Sequence, residues 1–410
     1  MTASGKLRIG LIVAFLVLIG IVAPSQIIWD LREGEPPQIA ELFRQMPTRA
    51  NLRQFESRLE SDCRLAQAVR PWVQYARFVL FEDADDKALV GRSGWLFYRP
   101  AVQYLIEPWS PARSVLVGAS EETPHGVTKN GQDDILAAIV SFRDELAKRG
   151  IRLVVMPAPN KASIYPEMLA RATEVSGPVN TMTRDVLARL KESGVEVVDL
   201  FEVYAQARAS PGLQPQSSAI SSPLTTDHRQ PTTAYYLAQD SHWSPEGVRL
   251  AANAVARKLL ESGWVRKGPV KYETKPVTVE RYGDVLRMIR VPQVAQLYEP
   301  QRMNCSQVID AATGQPYKDD PNSPVLVLGD SFLRIFERDE PGSGGFIAHL
   351  AHNLGFAVTS IVNDGGASTL VRQQLASKPA LLNGKKVVVW EFVERDIRFG
   401  TEGWQVIRVP

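Results

Sequence analysis

Two short motifs in this sequence contain the residue types that nucleophilic catalysis requires. The motif GDS closes the apolar run VLVLGDS at Ser331, and the motif DSHW places Asp240 two residues before His242. A serine hydroxyl becomes a useful nucleophile when an imidazole takes its proton and a carboxylate holds that imidazole in the correct tautomer. If residues 240–242 are extended, the side chains of Asp240 and His242 face the same side. The motifs therefore predict Ser331 as nucleophile, His242 as its base and Asp240 as the partner of that base.

Both motifs also have an ordinary structural interpretation, which the residues alone leave open. A GDS tripeptide occurs at many strand-to-helix turns where the aspartate caps the helix, and a histidine before a tryptophan is also typical of a buried helix entry. The remaining histidines lie in no comparable setting: His125, His228, His349 and His352. The last two are three residues apart in a predicted helix after Ser331, on its flank or in contact with substrate.

A metal centre is the other chemistry that these residue types suggest. Its ligands would be Asp227, His228, Asp240 and His242. These residues lack a recognised ligand spacing, such as two histidines one helical turn apart. The sequence also lacks a glycine-rich phosphate loop and a dinucleotide fingerprint. We therefore expect neither a metal nor a dissociable cofactor.

The composition excludes several classes of protein. Of the 410 residues 44% are hydrophobic and 22% are charged, so the chain is neither disordered throughout nor a multi-span membrane protein. Lys and Arg number 47 against 45 Asp and Glu, and a formal charge of +2 gives no basic surface for nucleic acid. Two cysteines are too few for a disulfide framework or a four-thiolate zinc site.

The N-terminal segment is predicted to be a membrane helix. No charged residue occurs between Arg8 and Asp30, and an apolar helix of this length spans about 30 Å of hydrocarbon. Lys6 and Arg8 precede the run, so the positive-inside rule keeps the N-terminus in the cytoplasm and sends the remaining chain across. Cleavage after Ser25 is an alternative because Ala23 and Ser25 are small, but we favour an uncleaved anchor.

Helical and strand patterns alternate in the rest of the chain. Apolar strands are predicted at 151–159, 195–200, 325–331 and 386–392, with amphipathic helices between them. This alternation is typical of an α/β protein, here a three-layer α/β/α sandwich around a mostly parallel sheet. In open α/β sheets reactive groups gather beyond the carboxyl ends of the strands, and Ser331 lies at such an end.

The pattern divides the chain into three predicted segments. Residues 1–30 form the signal anchor or transmembrane segment, residues 31–86 a membrane-proximal helical segment, and residues 87–410 the α/β domain. Residues 265–321 are polar and have no clear pattern. We expect them to form an irregular insertion or a covering β segment of that domain.

The sequence resembles the SGNH/GDSL hydrolase superfamily, and within it the exported polysaccharide O-acetyltransferases typified by the alginate acetylation proteins AlgJ and AlgX. The motif order carries this resemblance, because Asp240 and His242 precede Ser331 as in a circularly rearranged member. Further similar strings are GRSGWLFY at 91–98, MPAPNKASIYPE at 156–167 and WEFVER at 390–395. They extend the resemblance over most of residues 37–398. The AlgJ-like arrangement, without the C-terminal carbohydrate-binding module of AlgX, is the closer match.

This resemblance implies a periplasmic polysaccharide O-acetyltransferase anchored to the inner membrane, in which Ser331 carries the acetyl group as acetyl-serine. The acceptor is a polysaccharide, and a membrane-bound O-acyltransferase is the expected acetyl donor. A carbohydrate esterase or deacetylase with the same triad stays an alternative, as does a non-catalytic polysaccharide-binding assembly protein. The oxidising compartment favours a disulfide between Cys63 and Cys305.

Further residues are candidates for the periphery of the site. The glycines of the NDGG turn allow backbone N–H groups to point at an oxyanion, and the candidates there are Asn363, Gly365 and Gly366. Three residues follow predicted strand ends and are candidates for holding sugar hydroxyls or a uronate: Asn160, Lys161 and Arg395. A structural salt bridge or loop contact is the alternative for each of the three.

Overall fold

A computed structural model describes residues 3–34, 48–49, 52–53, 63–107, 134–170, 179–209 and 235–409. In these ranges the α-helices are α1 (Ala3–Glu33), α2 (Arg64–Phe81), α3 (Arg99–Ile106), α4 (Ile135–Ala147), α5 (Lys161–Ile164), α6 (Thr181–Glu192), α7 (Leu200–Ala209), α8 (Pro245–Glu261), α9 (Asp284–Met288), α10 (Pro292–Ala295), α11 (Ser331–Arg334), α12 (Phe346–Leu354), α13 (Leu370–Ala376) and α14 (Asp396–Phe399). The strands are β1 (Ala88–Val90), β2 (Leu96–Tyr98), β3 (Arg152–Ala158), β4 (Glu196–Val197), β5 (Tyr272–Arg281), β6 (Gln301–Asp310), β7 (Val325–Gly329), β8 (Thr359–Val362) and β9 (Val387–Val393).

Helices α1 and α2 belong to an N-terminal unit, which takes its residues from Met1–Ala84 and Val291–Leu297. The side chain of Gln26 accepts a hydrogen bond from the backbone N–H of Arg64 at 3.0 Å, and the Arg64 guanidinium lies 3.3 Å from Glu33. Helix α1 covers the segment predicted to cross a membrane. Within the described ranges, no helix combines the length and the apolar character that a bilayer span demands. The predicted membrane helix is therefore not confirmed.

The second unit, Asp85–Arg290 with Tyr298–Pro410, is built on a five-stranded sheet. The strand order is β4-β3-β9-β7-β8, and every neighbouring pair is parallel. All residues of β7 and β9 are buried, as are all but the first residue of β3. A strand buried at every position has both faces covered, as in a layered α/β protein. The predicted α/β fold with a mostly parallel sheet is confirmed.

The strand ends that carry the predicted site residues meet at one edge of this sheet. Gly329 of β7 is in register with Val362 of β8, and Ala158 of β3 is in register with Val393 of β9. Because these strands run parallel, the loops that follow them begin side by side. The sheet thus places Ser331 and the segments after β3, β8 and β9 along a common edge. Strand β8 was not predicted from the sequence.

The segment 265–321 contains two long paired strands, as the expected covering β segment would, and is not an irregular insertion throughout. Strands β5 and β6 pair antiparallel over ten residues each, from Tyr272 opposite Asp310 to Arg281 opposite Gln301. Most residues of β5 are exposed. Because a strand exposed on both faces shows no apolar alternation, the sequence pattern did not reveal it. The end of β5 leads into α9, which lies at the site described below.

Cys63 and Cys305 are both free and buried, so the predicted disulfide is absent. Cys63 directly precedes α2, whereas Cys305 lies on β6 opposite Val277. Burial raises the pKa of the Cys305 thiol to about 12.

Candidate active site

Ser331 lies at the turn between β7 and α11, of which it is the first residue. Asp330 caps this helix, since its Oδ1 accepts a hydrogen bond from the N–H of Phe332 at 2.9 Å. Phe332 and Leu333 are fully buried and anchor the short helix in the core, whereas Ser331 stays partly exposed. The turn therefore presents the Ser331 hydroxyl at the sheet edge on a firmly packed support.

His242 connects Ser331 to Asp240. Its Nε2 atom lies 2.8 Å from Oγ of Ser331, and its Nδ1 atom lies 2.6 Å from Oδ1 of Asp240. His242 is 5% exposed and Asp240 is fully buried. An ionised carboxylate only accepts hydrogen bonds, so Nδ1 of the neutral ring carries the proton and Nε2 can accept one from the serine. The structure brings the three predicted residues together in one hydrogen-bonded chain.

Residues 238–242 form bends, so the extended geometry considered for residues 240–242 is not the one observed. Asp240 reaches His242 by folding back, because the same Oδ1 that faces Nδ1 also accepts the backbone N–H of His242 at 3.1 Å. An aspartate that bonds the N–H two residues on stabilises a turn. The indole N–H of Trp243 donates to the carbonyl of Phe332 at 3.0 Å and fastens this bend to α11.

Lys161 supports the same bend from inside the protein. Its ammonium group donates to three backbone carbonyls at 2.6–3.0 Å, those of Leu237, Ala238 and Asp240. All three ammonium donors are therefore used, and the residue is 3% exposed. Burial lowers the pKa of Lys161 to about 7 against the opposing charges of Asp240 and Asp284. Lys161 positions the bend from a buried site, which agrees with the alternative of a loop contact and not with a sugar contact.

Asn160 is also an interior residue and is 1% exposed. Its backbone N–H donates to the Glu394 carboxylate at 2.8 Å, and the hydroxyls of Ser163 and Thr183 donate to the same carboxylate at 2.5 and 2.6 Å. Burial raises the pKa of Glu394. Asn160 thus joins the end of β3 to the end of β9, which agrees with the alternative of a structural contact and not with a sugar contact.

Asp240 and Asp284, which we call the base-side acids, both approach the imidazole. Oδ2 of Asp284 lies 3.5 Å from Nδ1 of His242, and Arg281 lies 3.3 Å from Oδ2 of Asp240. Burial opposes ionisation of Asp240, but the hydrogen-bonded imidazole, Asp284 and Arg281 hold the Asp240 pKa below its usual range. Burial likewise opposes protonation of His242, but Asp240 and Asp284 raise its pKa. Arg281 and Asp284 were not predicted, because they lie in the segment 265–321.

Asp330, Glu391 and Asp396, which we call the nucleophile-side acids, form a second buried group at the Ser331 turn. Oε2 of Glu391 accepts the backbone N–H of Asp330 at 3.1 Å, and a Cβ at Gly329 would lie 2.4 Å from that oxygen. Burial is the largest influence on each acid, and it raises the pKa of all three, that of Asp396 to about 7. Glu391 was not predicted, although a carboxylate inside a buried strand signals an unusual role.

The predicted oxyanion turn, residues 363–366, follows β8 and lies beside the end of β7. The N–H of Asn363 donates to the carbonyl of Gly329 at 3.0 Å. Arg334 of α11 donates to both oxygens of Asp364 at 2.9 and 3.0 Å. These two contacts tie the turn to the strand and the helix that flank Ser331.

Arg395 follows β9 and stays near the surface, with its side chain 15% exposed. Its guanidinium carbon lies 5.1 Å from the ring centroid of Tyr98, and Asp396 is its ion-pair partner at 4.0 Å. The Arg395 charge opposes protonation of His242 and favours ionisation of Asp330. Arg395 therefore supplies positive charge close to the Ser331–His242 pair.

Asp240, His242 and Asp284 also form the group of potential metal ligands in the described ranges, with ligand atoms within 4.8 Å of one another. These atoms are joined by direct hydrogen bonds within the group and with Ser241, and we describe the group as a hydrogen-bonded network. Asp227, His228 and His125 lie outside the described residues. His349 and His352 lie on α12, and burial lowers the pKa of His349 to about 4.

Comparisons with known proteins agree on the kind of domain. The family described as "SGNH hydrolase-like domain, acetyltransferase AlgX" matches residues 88–212 and 217–394. A probable alginate O-acetylase AlgJ of Pseudomonas fluorescens is 23% identical over 331 residues, which cover 79% of this chain and 72% of the relative. The alginate biosynthesis protein AlgX of Pseudomonas aeruginosa is 23% identical over 278 residues, 66% of this chain and 52% of the relative.

The solved O-acetyltransferase domain of Pseudomonas putida AlgJ shares the fold. The two structures have a TM-score of 0.53 at 22% sequence identity, and the match covers 76% of this chain and 91% of the AlgJ domain. The circular rearrangement inferred from the motif order stays a prediction.

Proposed function

Since the chain belongs to the family of SGNH hydrolase-like domains of the acetyltransferase AlgX type, we propose that it is an O-acetyltransferase acting on an exported polysaccharide. The relatives named as alginate O-acetylases and alginate biosynthesis proteins support a role in polysaccharide acetylation. The observation that carries the enzymatic proposal is the hydrogen-bonded chain from Asp240 through His242 to Ser331.

In the proposed first step, Ser331 takes an acetyl group from a donor. Nε2 of His242 accepts the hydroxyl proton while Oγ of Ser331 forms a bond to the acetyl carbonyl carbon. The bond between that carbon and the donor's leaving group then breaks, and the imidazolium returns the proton to the leaving group. Asp240 stabilises the imidazolium in between, because its carboxylate accepts from Nδ1.

In the proposed second step, a sugar hydroxyl attacks the acetyl-serine. Nε2 of His242 takes the hydroxyl proton, the sugar oxygen bonds to the carbonyl carbon, and the bond to Oγ of Ser331 breaks. The proton passes from the imidazolium to Oγ, which restores the enzyme. The scheme consists of acyl and proton transfers alone, so no dissociable cofactor takes part.

Two neighbouring features have proposed roles in this scheme. The backbone N–H groups of Ser331 and Gly365 would stabilise the oxyanion, because the N–H groups of Asn363 and Gly366 in the same turn already donate to the carbonyls of Gly329 and Asn363. Arg395 would hold an acidic sugar of the acceptor, because a guanidinium binds carboxylates in two-point geometry and this one lies near the Ser331–His242 pair.

We place the proposed reaction in the periplasm, where an exported polysaccharide is accessible. Acetyl-CoA is made in the cytoplasm, so the acetyl group must cross the inner membrane before it reaches Ser331. A membrane-bound O-acyltransferase is the class of partner that would supply it. The names of the alginate relatives make a uronate polymer the first acceptor to test.

The proposal is tested with the full-length chain, a chromogenic acetyl ester as donor and oligouronate chains as acceptor. Wild type should form acetylated oligosaccharide, and intact-mass measurement should detect a single acetyl adduct on the protein. Ser331→Ala should lose the adduct and about 10³- to 10⁶-fold of the turnover. Ser360→Ala, a serine of β8 that bonds Asp319 at 2.6 Å, is the matched control and should behave as wild type.

The possible results separate the alternatives. Acetate release that is unaffected by the oligosaccharide, with no acetylated sugar, favours an esterase. Sugar acetylation that persists in Ser331→Ala contradicts the proposed nucleophile. Oligosaccharide binding by both proteins without any turnover favours a polysaccharide-binding role.

A further inference from the structure

We propose that Asp284 is a positioning residue of this active site, which acts through Asp240 and Ser241 to hold His242 in line with Ser331. The inference rests on the proposed function for its catalytic meaning. The contacts that support this role of Asp284 are all hydrogen bonds and packing contacts within this chain. They join α9, in the segment 265–321, to the bend that carries His242.

Each base-side acid accepts a hydrogen bond from a backbone N–H in the segment that carries the other acid. The N–H of Asp284 donates to Oδ2 of Asp240 at 3.0 Å. In return, Oδ1 of Asp284 accepts the backbone N–H of Ser241, and its Oδ2 accepts the Ser241 hydroxyl, both at 2.6 Å. Each carboxylate therefore fixes the chain that carries the other. A loss of Asp284 would release Ser241, which is the residue between Asp240 and His242.

The backbone at the start of α9 is in direct contact with the backbone at residues 239–240. This contact makes the reciprocal hydrogen bonding of Asp240 and Asp284, which we call the clamp, rigid. A Cβ at Gly283 would lie 2.1 Å from the carbonyl oxygen of Gln239 and 2.6 Å from the nitrogen of Asp240. Any side chain at position 283 would therefore force the segments apart. The N–H of Leu286 also donates to the carbonyl of Gln239 at 3.3 Å. The start of α9 is thus packed against the start of the catalytic bend.

The clamp uses both oxygens of Asp240. Oδ1 faces Nδ1 and the backbone N–H of His242, and Oδ2 accepts from Asp284 and from Arg281 at 3.3 Å. A carboxylate with hydrogen bonds at both oxygens cannot rotate without losing several of them. Asp284 therefore fixes the plane of the carboxylate that orients the imidazole.

Asp284 also acts on the imidazole through charge, since its Oδ2 lies 3.5 Å from Nδ1. Both oxygens of Asp284 accept hydrogen bonds from Ser241, as an ionised carboxylate does, although burial and Asp240 raise the Asp284 pKa. The charged or titratable groups that act on His242 or on its acids are Asp240, Asp284, Arg281, Arg395, Asp330 and Lys161. Removal of the Asp284 charge should lower the pKa of His242.

The test compares wild type with Asp284→Asn in the full-length chain, with Glu280→Gln as the matched control. Glu280 lies on β5, and its exposed carboxylate pairs with Arg302 at 3.6 Å. For the chromogenic acetyl ester, kcat/KM of Asp284→Asn should fall about 10- to 100-fold, and the acid limb of its pH profile should move to lower pH. Glu280→Gln should reproduce the wild-type profile.

A spectroscopic measurement tests the effect of Asp284 on His242 without relying on turnover. Histidine labelled with ¹⁵N in the Ser331→Ala background reports the titration and the Nδ1 proton of His242 directly. In Asp284→Asn the titration should move to lower pH and the Nδ1 proton resonance should shift. A titration and resonance that match Glu280→Gln overturn the proposal. An Asp284 effect on His242 in a protein without acetyl transfer would instead contradict the proposed function alone.

Ser241→Ala covers the case in which Asp284→Asn does not fold. This variant removes one hydroxyl contact to Asp284 and keeps the backbone hydrogen bond. The His242 resonance and titration should move in the same sense as in Asp284→Asn, by a smaller amount. Unchanged His242 spectra in Ser241→Ala would overturn the proposed path through Ser241.

Discussion

Two buried groups of acids border the Ser331–His242 pair, and the pKa of Asp240 on one side and that of Glu391 on the other are shifted in opposite directions. On the base side, Asp240 has the imidazole at 2.6 Å and Arg281 at 3.3 Å, and its pKa lies below the usual range despite complete burial. On the nucleophile side, burial of Glu391 outweighs its hydrogen bond from Asp330, and the Glu391 pKa is raised well above its usual value. Asp240 is therefore shifted towards the ionised form, whereas the three nucleophile-side acids are shifted towards the protonated form.

The opposite pKa shifts of Asp240 and of the nucleophile-side acids indicate different roles for the two groups. An imidazole that becomes positively charged during the reaction is stabilised by a fixed negative charge, so the base side needs an ionised acid. The turn at Ser331 needs a hydrogen-bond partner for the Asp330 N–H, and a neutral carboxyl provides one without adding charge beside the oxyanion of the proposed reaction. The two sides of the site therefore use the same residue types for different purposes.

Replacement of Asp240 tests the base side and should have the largest effect. Asp240→Asn keeps the shape of the side chain but removes the charge that stabilises the imidazolium, and an amide N–H can face Nδ1 in place of an acceptor. We expect kcat/KM for the chromogenic ester to fall about 10³- to 10⁴-fold. Retention of near wild-type activity would mean that Asp240 does not orient His242.

The pH dependence of stability tests the nucleophile side. An acid whose pKa is raised by folding binds a proton in the native state that the unfolded state has lost, so the free energy of unfolding falls as pH rises. For Asp396 this loss extends from about pH 4, near the unfolded pKa, to its folded value of about 7. Each additional bound proton contributes about 1.4 kcal/mol per pH unit within such a window.

Urea unfolding of the full chain between pH 5 and pH 8 measures this slope. The free energy of unfolding should decrease with pH in wild type and decrease less steeply in Asp396→Asn. Asp240 has the opposite sign, because its lowered pKa gives stability that is lost as pH falls below about 4. Identical slopes for wild type and Asp396→Asn would contradict the protonated state of this group.

Glu391→Gln should have the smallest effect and sharpens the contrast with Asp240→Asn. A neutral amide replaces a neutral carboxyl and can still accept the Asp330 N–H, so we expect less than a tenfold change in kcat/KM and about 1 kcal/mol or less in the free energy of unfolding. The ester assay and urea unfolding provide both numbers. A loss as large as that of Asp240→Asn would show that Glu391 is ionised and would remove the distinction between the two groups.

Much of the fold and the central residues of the site could be predicted from the sequence. Strands β3, β7 and β9 are apolar at nearly every position, and the GDS and DSHW motifs lie at recognisable boundaries. Local patterns of this kind survive in a single sequence because burial and turn formation act over a few residues. Such patterns are enough to identify Ser331, His242 and Asp240 as candidate site residues.

The contacts between distant segments could not be predicted in the same way. Asp284 and Arg281 lie in a polar segment without periodicity, and their roles depend on the packing of Gly283 against Gln239. Lys161 was expected at a sugar because it follows a strand, but its direction is set by three carbonyls almost 80 residues further on. The acids of WEFVER, by contrast, were visible as charges in an apolar strand, and that signal could have identified Glu391.

Strand β9, which lies between β3 and β7, is the last strand of the described chain. A chain that is synthesised from its N-terminus has β3–β4 and β7–β8 available as two separate pairs before residues 387–393 emerge. Each pair then has an unpaired edge and is open to wrong partners. Arg152 pairs with Val387, which is far away in the sequence. Contacts between such distant residues form slowly during folding. The enzyme is therefore assembled late, and a truncation before residue 387 should leave two half-sheets without their shared central strand.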